Sequence, residues 1–136
     1  MHTLTLVFNK DKTHVLLCNH LKHGGYNYIG GKVEELEDVF IASYRELFEE
    51  TGISKDVIDL HFVRQEMVTT TNTDLAGGVW SLFITAGVLK EDVTLVEEKN
   101  PLLCVPIADA DTFLHKCVGN GNCYVFLREA IKVLGL

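Results

Sequence analysis

The sequence predicts one mixed α/β domain in which helices cover a largely antiparallel or mixed sheet. Three observations carry this expectation. Short runs with the two-residue alternation of strands recur along the chain, one long segment between them has helical spacing, and the chain closes on a second amphipathic helix. The 136 residues suffice for one core, and 47% hydrophobic against 23% charged residues places the chain among globular proteins. No composition break, repeat or low-complexity segment divides it, so the domain is expected to span residues 1–136.

His2 to Phe8 alternates threonine and aliphatic residues, as a half-buried strand does. Asn9-Lys10-Asp11-Lys12 is a polar turn, and Thr13 to Cys18 returns as the second arm of a hairpin. Asn19 to Gly25 is a loop rich in His and Gly, and Tyr26 to Ile29 is a short aromatic strand ending in Gly30-Gly31. Asp38 is a good N-cap for the next helix. Gly52, after Thr51, can take the left-handed conformation that stops it. Phe40, Tyr44 and Leu47 share the apolar side of that helix. Leu60 to Thr69 reads as a strand, Thr70 to Gly78 as a polar loop, and Val79 to Val88 as a long apolar strand with Trp80 expected in the core. Val93 to Val96 and Leu102 to Ile107 are expected as shorter strands. Asp109 is expected to cap a short helix through Lys116, Gly119-Asn120-Gly121-Asn122 to turn the chain, and Tyr124 to Leu134 to form the closing helix.

The formal net charge of −7 argues against a general affinity for DNA or RNA, which needs clustered lysine and arginine. A small phosphorylated molecule remains compatible, because bridging metal ions supply local positive charge. Cys18, Cys104, Cys117 and Cys123 show no CxxC spacing, so a zinc cluster is not expected. They read as reduced thiols in a cytoplasmic protein, with a cysteine nucleophile as the sharper alternative that lacks an obvious histidine partner. Nothing at the start resembles a signal peptide, and no apolar stretch is long enough to cross a bilayer.

The most informative segment is Gly31 to Ile53, GKVEELEDVFIASYRELFEETGI. Glu46, Glu49 and Glu50 stand at i, i+3 and i+4 and therefore share one face of a helix. Three carboxylates on one face repel each other unless a cation sits among them, and Mg²⁺ or Mn²⁺ suits hard oxygen ligands. Each fragment alone has an ordinary explanation: exposed glutamates are usually a solvated face, Gly-Gly a turn, a terminal glycine a helix stop. The complete spacing reverses those odds. Gly31, five residues, Glu37, seven residues, Arg45-Glu46-Leu47, one residue, Glu49-Glu50, one residue, Gly52-Ile53 resembles the Nudix box at every defined position, and the preceding Tyr-Ile-Gly-Gly-Lys-Val-Glu resembles MutT-like nucleoside triphosphate pyrophosphatases.

The resemblance implies the Nudix fold, an α/β/α sandwich with a mixed central sheet. It implies metal-dependent hydrolysis of a pyrophosphate bond, with Mg²⁺ as cofactor and Mn²⁺ as a substitute. Glu49 and Glu50 are then metal ligands, the Gly30 carbonyl is an added ligand, and Glu46 binds metal or orients the water. Arg45 lies beside the acidic face and can pair with Glu37 or Glu49, holding them in place. Glu98 is the candidate general base, with Glu97 nearly equivalent and a plain surface role as the even alternative for both. Many members carry glycine just before the first glutamate of the box, here Glu37, where this chain has Leu36.

The substrate must be read elsewhere. Tyr26, Asn27, Tyr28 and Lys32 adjoin the Gly-Gly corner, and Asn120 and Asn122 lie in a loop that could flank the same cleft. Asparagine can read donor and acceptor edges of a base, and tyrosine can stack on it, although Gly-Asn-Gly-Asn is also ordinary turn chemistry. His20 and His23 could touch phosphates. The expected reaction is hydrolysis of a nucleoside triphosphate, with an oxidised purine such as 8-oxo-dGTP foremost, to the monophosphate and pyrophosphate. The alternatives are ADP-ribose or another nucleoside-diphosphate-X compound, or a non-enzymatic nucleotide sensor. The partner is a small-molecule nucleotide, with no nucleic acid polymer or membrane, and the protein is a monomer or homodimer.

Overall fold

The computed structural model describes residues 1–21, 25–70, 78–97, 99–114 and 123–136, with backbone only at 68–70, 78–80 and 123. The strands are β1 (His2–Phe8), β2 (His14–His20), β3 (Gly25–Asn27), β4 (Ile29–Lys32), β5 (His61–Thr70), β6 (Gly78–Val88) and β7 (Leu102–Pro106). The helices are α1 (Val39–Thr51), α2 (Ala110–Leu114) and α3 (Cys123–Leu134). One seven-stranded sheet runs β3-β2-β1-β6-β5, with β4 also on β1 and β7 also on β2. It is mixed: β1 is parallel to β6, and the other pairs are antiparallel.

Alternation along β1 divides the interior in two. Leu4, Leu6 and Phe8 enter a core with Tyr28, Val105, Leu114, Phe126 and Leu127, on the side covered by α2 and α3. Val7 enters a second core with Leu16, Ile29, Leu47, Ile53 and Ile58, on the side covered by α1. Phe40 and Tyr44 pack against this second core, as their helical spacing predicts. The Tyr44 hydroxyl also accepts the Leu60 amide at 2.9 Å, tying α1 to the start of β5. The result is the expected three-layer α/β/α arrangement.

Three sequence expectations are corrected. Tyr26 to Ile29 is not one strand. It divides at Tyr28, whose amide bonds to Asn27 Oδ1 at 2.7 Å and whose side chain is wholly buried. β3 therefore pairs with the end of β2, whereas β4 pairs with the start of β1, from His2↔Lys32 to Thr5↔Ile29. Val93 to Val96 is not a strand, because the Val96 amide bonds to the Thr51 carbonyl at 2.9 Å and ties the segment to the end of α1. Asp109 does not precede its helix as a cap. It lies inside the 3-10 turn Ile107–Asp109, from which the chain passes directly into α2. Residues 71–77, the Gly119 to Asn122 turn, Lys116 and the Trp80 side chain lie outside what is described.

Candidate active site

Helix α1 is fixed at both ends as its sequence predicts. Asp38 Oδ1 accepts the amides of Phe40 at 2.9 Å and Ile41 at 3.3 Å. Gly52 closes the helix at φ 77°, and its amide bonds to the Phe48 carbonyl. This rigid platform carries Glu46, Glu49 and Glu50. They are not equally exposed: Glu46 and Glu50 are buried at 9% relative exposure, while the Glu49 side chain is 43% exposed.

Arg45 organises the acids around it. Its Nε donates to Glu37 Oε2 at 2.7 Å and its Nη2 to Glu37 Oε1 at 2.9 Å, a two-point fork. Nη2 also donates to the Lys32 carbonyl at 3.0 Å, linking the helix to β4. Nη1 donates to Glu46 Oε1 at 2.9 Å and to Glu49 Oε2 at 3.3 Å. Arg45 thus engages both expected partners and Glu46 as well. The guanidinium holds Glu37 well below the usual carboxylate range, to about 2, helped by the backbone bond to Glu34. Glu46 is shifted upward, because burial outweighs the opposing pull of Arg45.

The two glycines are needed for close approach rather than for a bend. Both lie in β4, and neither has a positive φ. A Cβ on Gly30 would stand 2.4 Å from the Thr3 carbonyl oxygen across the ladder, and one on Gly31 would stand 2.1 Å from Glu46 Cδ. The Glu46 carboxylate rests on the bare backbone of Gly31. The turn just before α1 does require an unusual backbone. Leu36 has φ 64° with its side chain fully exposed, between the Glu37 amide's bond to Glu34 O and the Glu34 amide's bond to Glu37 Oε1.

Beyond the helix, Lys99 Nζ stands 3.7 Å from Glu50 Oε1. Lys99, Phe48, Glu49, Gly52 and Val96 line an open cleft of about 590 Å³ beside the acids. Lys99 was not singled out from the sequence. Its only signal there is a place next to Glu98.

The remaining predicted residues separate. Tyr26 is half-buried and meets Phe113 edge-on at 5.4 Å between ring centroids. Asn27 is half-buried, with Oδ1 committed to the Tyr28 amide. Tyr28, expected against substrate, instead lies wholly in the core, so its ring packs and offers no stacking surface. Lys32 is exposed, and its backbone carbonyl accepts from Arg45. His20 Nε2 lies 3.3 Å from the Tyr28 carbonyl. Glu97 Oε1 accepts the Leu102 amide at 2.9 Å, a local structural bond. Glu98, Asn120, Asn122 and His23 lie outside the described residues. Burial pushes the Cys18 thiol up to about 12 and also raises that of Cys104, the opposite of an activated nucleophile.

The model of the NUDIX domain matches residues 2–116, most of the chain. The chain belongs to the Nudix family. It is a Nudix hydrolase, whose coarse activity is pyrophosphohydrolysis. Solved structures agree in fold. An Ap4A hydrolase from C. elegans superposes with a TM-score of 0.77 at 20% identity, over 98% of this chain and 96% of that one. A dihydroneopterin triphosphate pyrophosphohydrolase from E. coli gives 0.81 at 15% identity, over 96% and 94%. The NUDIX domain of Shewanella oneidensis NrtR, solved with ADP ribose, gives 0.75 at 15% identity, over 98% and 86%. Comparison with curated proteins returns no match. No described helix is long and apolar enough to cross a membrane.

Nudix hydrolases generally use divalent metal ions. The donor set of this chain fits such an ion: carboxylates on a rigid helix, all hard oxygens, with that of Glu46 resting on Gly31 of β4. Among the described residues, no three acidic, histidine or cysteine side chains converge as a ready cage. Positive groups of the protein stand there instead, Arg45 Nη1 between Glu46 and Glu49 and Lys99 beside Glu50.

Proposed function

We propose that this Nudix hydrolase cleaves a nucleoside triphosphate to the monophosphate and pyrophosphate, with Mg²⁺ as its ion and Mn²⁺ as a substitute. The observation that carries this reading is the Arg45–Glu37 fork, which braces a helix bearing Glu46, Glu49 and Glu50 directly over the Gly30-Gly31 strand. Glu49, Glu50, Glu46 and the Gly30 carbonyl are the groups that would hold the ion. When bound, it would neutralise the phosphate oxygens and acidify the attacking water.

The chain's own residues supply position. Arg45 fixes Glu37, Glu46 and Glu49 before substrate arrives, so little reorganisation is required during reaction. Glu46, buried and shifted upward, is suited to hold or orient a proton of the water. Glu98 remains the proposed base outside the helix. Tyr26, Asn27, Lys32, Asn120 and Asn122 remain the proposed contacts to base and phosphate. An oxidised purine such as 8-oxo-dGTP is the leading substrate within that class; what favours the triphosphate class itself is the lack of a second sequence signature C-terminal to the box of the kind that marks ADP-ribose or dinucleoside polyphosphate members. The free thiols of Cys18 and Cys104 fit action in the cytoplasm.

The test is a nucleotide panel with Mg²⁺ or Mn²⁺ and full product analysis, repeated with Glu49→Gln and Glu50→Gln. Pyrophosphate plus monophosphate is expected from a triphosphate, with a loss of about 100-fold in either variant. Two monophosphates from ADP-ribose would move the assignment to nucleoside-diphosphate-X compounds. Wild-type rates in both variants would overturn the site, and no turnover on any nucleotide would leave a sensor.

A further inference from the structure

Among the described residues, two side-chain cations stand among the box glutamates, and they are held in very different ways. Arg45 is fixed by five hydrogen bonds, to Glu37, Glu46, Glu49 and the Lys32 carbonyl. Its side chain is 24% exposed, against 57% for that of Lys99. Lys99 makes one long ion pair, 3.7 Å from Glu50 Oε1. The carboxylate it faces is buried, and among the described residues Lys99 is the cation paired with it. An exposed single-point pair of this kind contributes little and exchanges readily.

Described residues on either side of Lys99 are tied down by hydrogen bonds. The Val96 amide bonds to Thr51 O at 2.9 Å, Glu97 Oε1 takes the Leu102 amide at 2.9 Å, and Asn100 Oδ1 takes the Leu21 amide at 3.1 Å. The Asn19 amide bonds to Pro101 O at 2.9 Å. These flanking points are therefore held, while the flexible four-carbon stem of Lys99 can swing. That stem opens onto the cleft lined by Phe48, Glu49, Gly52 and Val96, next to where a phosphate chain on the acids would lie.

We propose that Lys99 is a positioning residue: it occupies Glu50 while the site lacks its ion, gives up that carboxylate when a divalent ion arrives, and turns its ammonium to the phosphate chain of the nucleotide. This rests on the reading of Glu50 as a metal ligand. The ligand class it selects is a polyphosphate long enough to reach past the acids into the cleft. The residue thereby opposes free metal and favours bound nucleotide, two effects of opposite sign from one side chain.

The test measures Mn²⁺ binding to the nucleotide-free protein by electron paramagnetic resonance, and nucleotide KM and kcat separately. Lys99→Met is expected to tighten Mn²⁺ about three- to fivefold and to raise KM about tenfold, with kcat moving less. Lys99→Arg is expected to return KM toward wild type. A variant that merely loosened the loop would weaken both affinities, and that result would overturn the proposal. Glu50→Gln separates the two layers of the argument. It should weaken Mn²⁺ and abolish the effect of Lys99→Met on it. Weakening by Glu50→Gln with no response to Lys99→Met refutes the role of Lys99 and leaves Glu50 as a ligand. Unchanged Mn²⁺ affinity in Glu50→Gln refutes both.

Discussion

Gly31 offers the sharpest single perturbation of the site. A Cβ there would meet Glu46 Cδ at 2.1 Å and both carboxylate oxygens at 2.4 Å. Carbon atoms in ordinary contact sit about 3.5–4.0 Å apart, so in Gly31→Ala the carboxyl group must retreat by more than about 1 Å. The atoms displaced are the far end of a side chain, and Gly31 has no positive φ, so the ladder of β4 with β1 can persist. What is lost is the placement of Glu46 and its 2.9 Å bond from Arg45 Nη1. A hydrogen bond to a charged group contributes about 1.5–3 kcal/mol, and the restriction of the unfolded chain by alanine returns about 0.4–1 kcal/mol. The net destabilisation is about 1–2 kcal/mol, a fall of roughly 3–8 °C in Tm. A displacement near 1 Å at the reacting centre can lower the rate by about 100-fold. Urea melts and pyrophosphate release would read the two effects separately. The decisive arm is Glu46→Ala: with the carboxylate gone, Gly31→Ala should become neutral or stabilising. Equal destabilisation in both backgrounds, or full activity in Gly31→Ala alone, would refute the contact.

Two further outcomes follow from the turn before α1 and from the fork on Arg45. Leu36 holds φ 64° with nothing packed on its exposed side chain, so Leu36→Gly should stabilise the fold by about 0.5–1 kcal/mol in urea, once glycine's greater freedom when unfolded is subtracted. A loss of stability would mean that the left-handed backbone carries no penalty here. Glu37 is held near 2 in the folded state and lies higher when unfolded, so it contributes stability that is present above its unfolded value and lost as pH falls between about 5 and about 2. Glu37→Gln should therefore flatten the dependence of the urea midpoint on pH across that window; parallel curves for the two proteins would contradict the pairing.

The chemistry was more legible in the sequence than the substrate, for a physical reason. Helix α1 is specified locally: Asp38 caps it, Gly52 stops it, and the i, i+3, i+4 spacing of the acids needs no tertiary information. The Arg45–Glu37 fork was within reach because both residues belong to one motif. Tyr28 was misplaced because an aromatic residue beside a glycine corner looks the same whether it stacks on a base or fills a core. Only the division of β3 from β4 sends its ring inward. Val93 to Val96 failed for a similar reason. Its apolar alternation is real, with Val93 and Leu95 packed under α1, but its amide is satisfied by the end of a helix and not by a neighbouring strand. Lys99 escaped notice because a lone lysine in a polar loop carries no periodicity, and its partner is far away in the chain.

Charge balance explains why the acid face is tolerated and what it is prepared to accept. Among the described residues, Glu37, Glu46, Glu49 and Glu50, with Glu34 3.9 Å from Arg45, face the side-chain cations Arg45 and Lys99, so negative charge is in excess there. That excess suits the divalent metal ions that Nudix hydrolases generally use. Partial burial makes the excess consequential, since like charges near Glu46 and Glu50 are poorly screened there. The upward shift of Glu46 is the local sign of that tension, driven first by burial and added to by its two acidic neighbours. Arg45 cannot relieve more of it, because its donors are already committed to Glu37 and the Lys32 carbonyl. The fold thus keeps one cation as permanent scaffolding and one as a replaceable counter-charge. A site assembled this way selects first for positive charge and phosphate, and leaves recognition of the rest of the substrate to surfaces outside the motif.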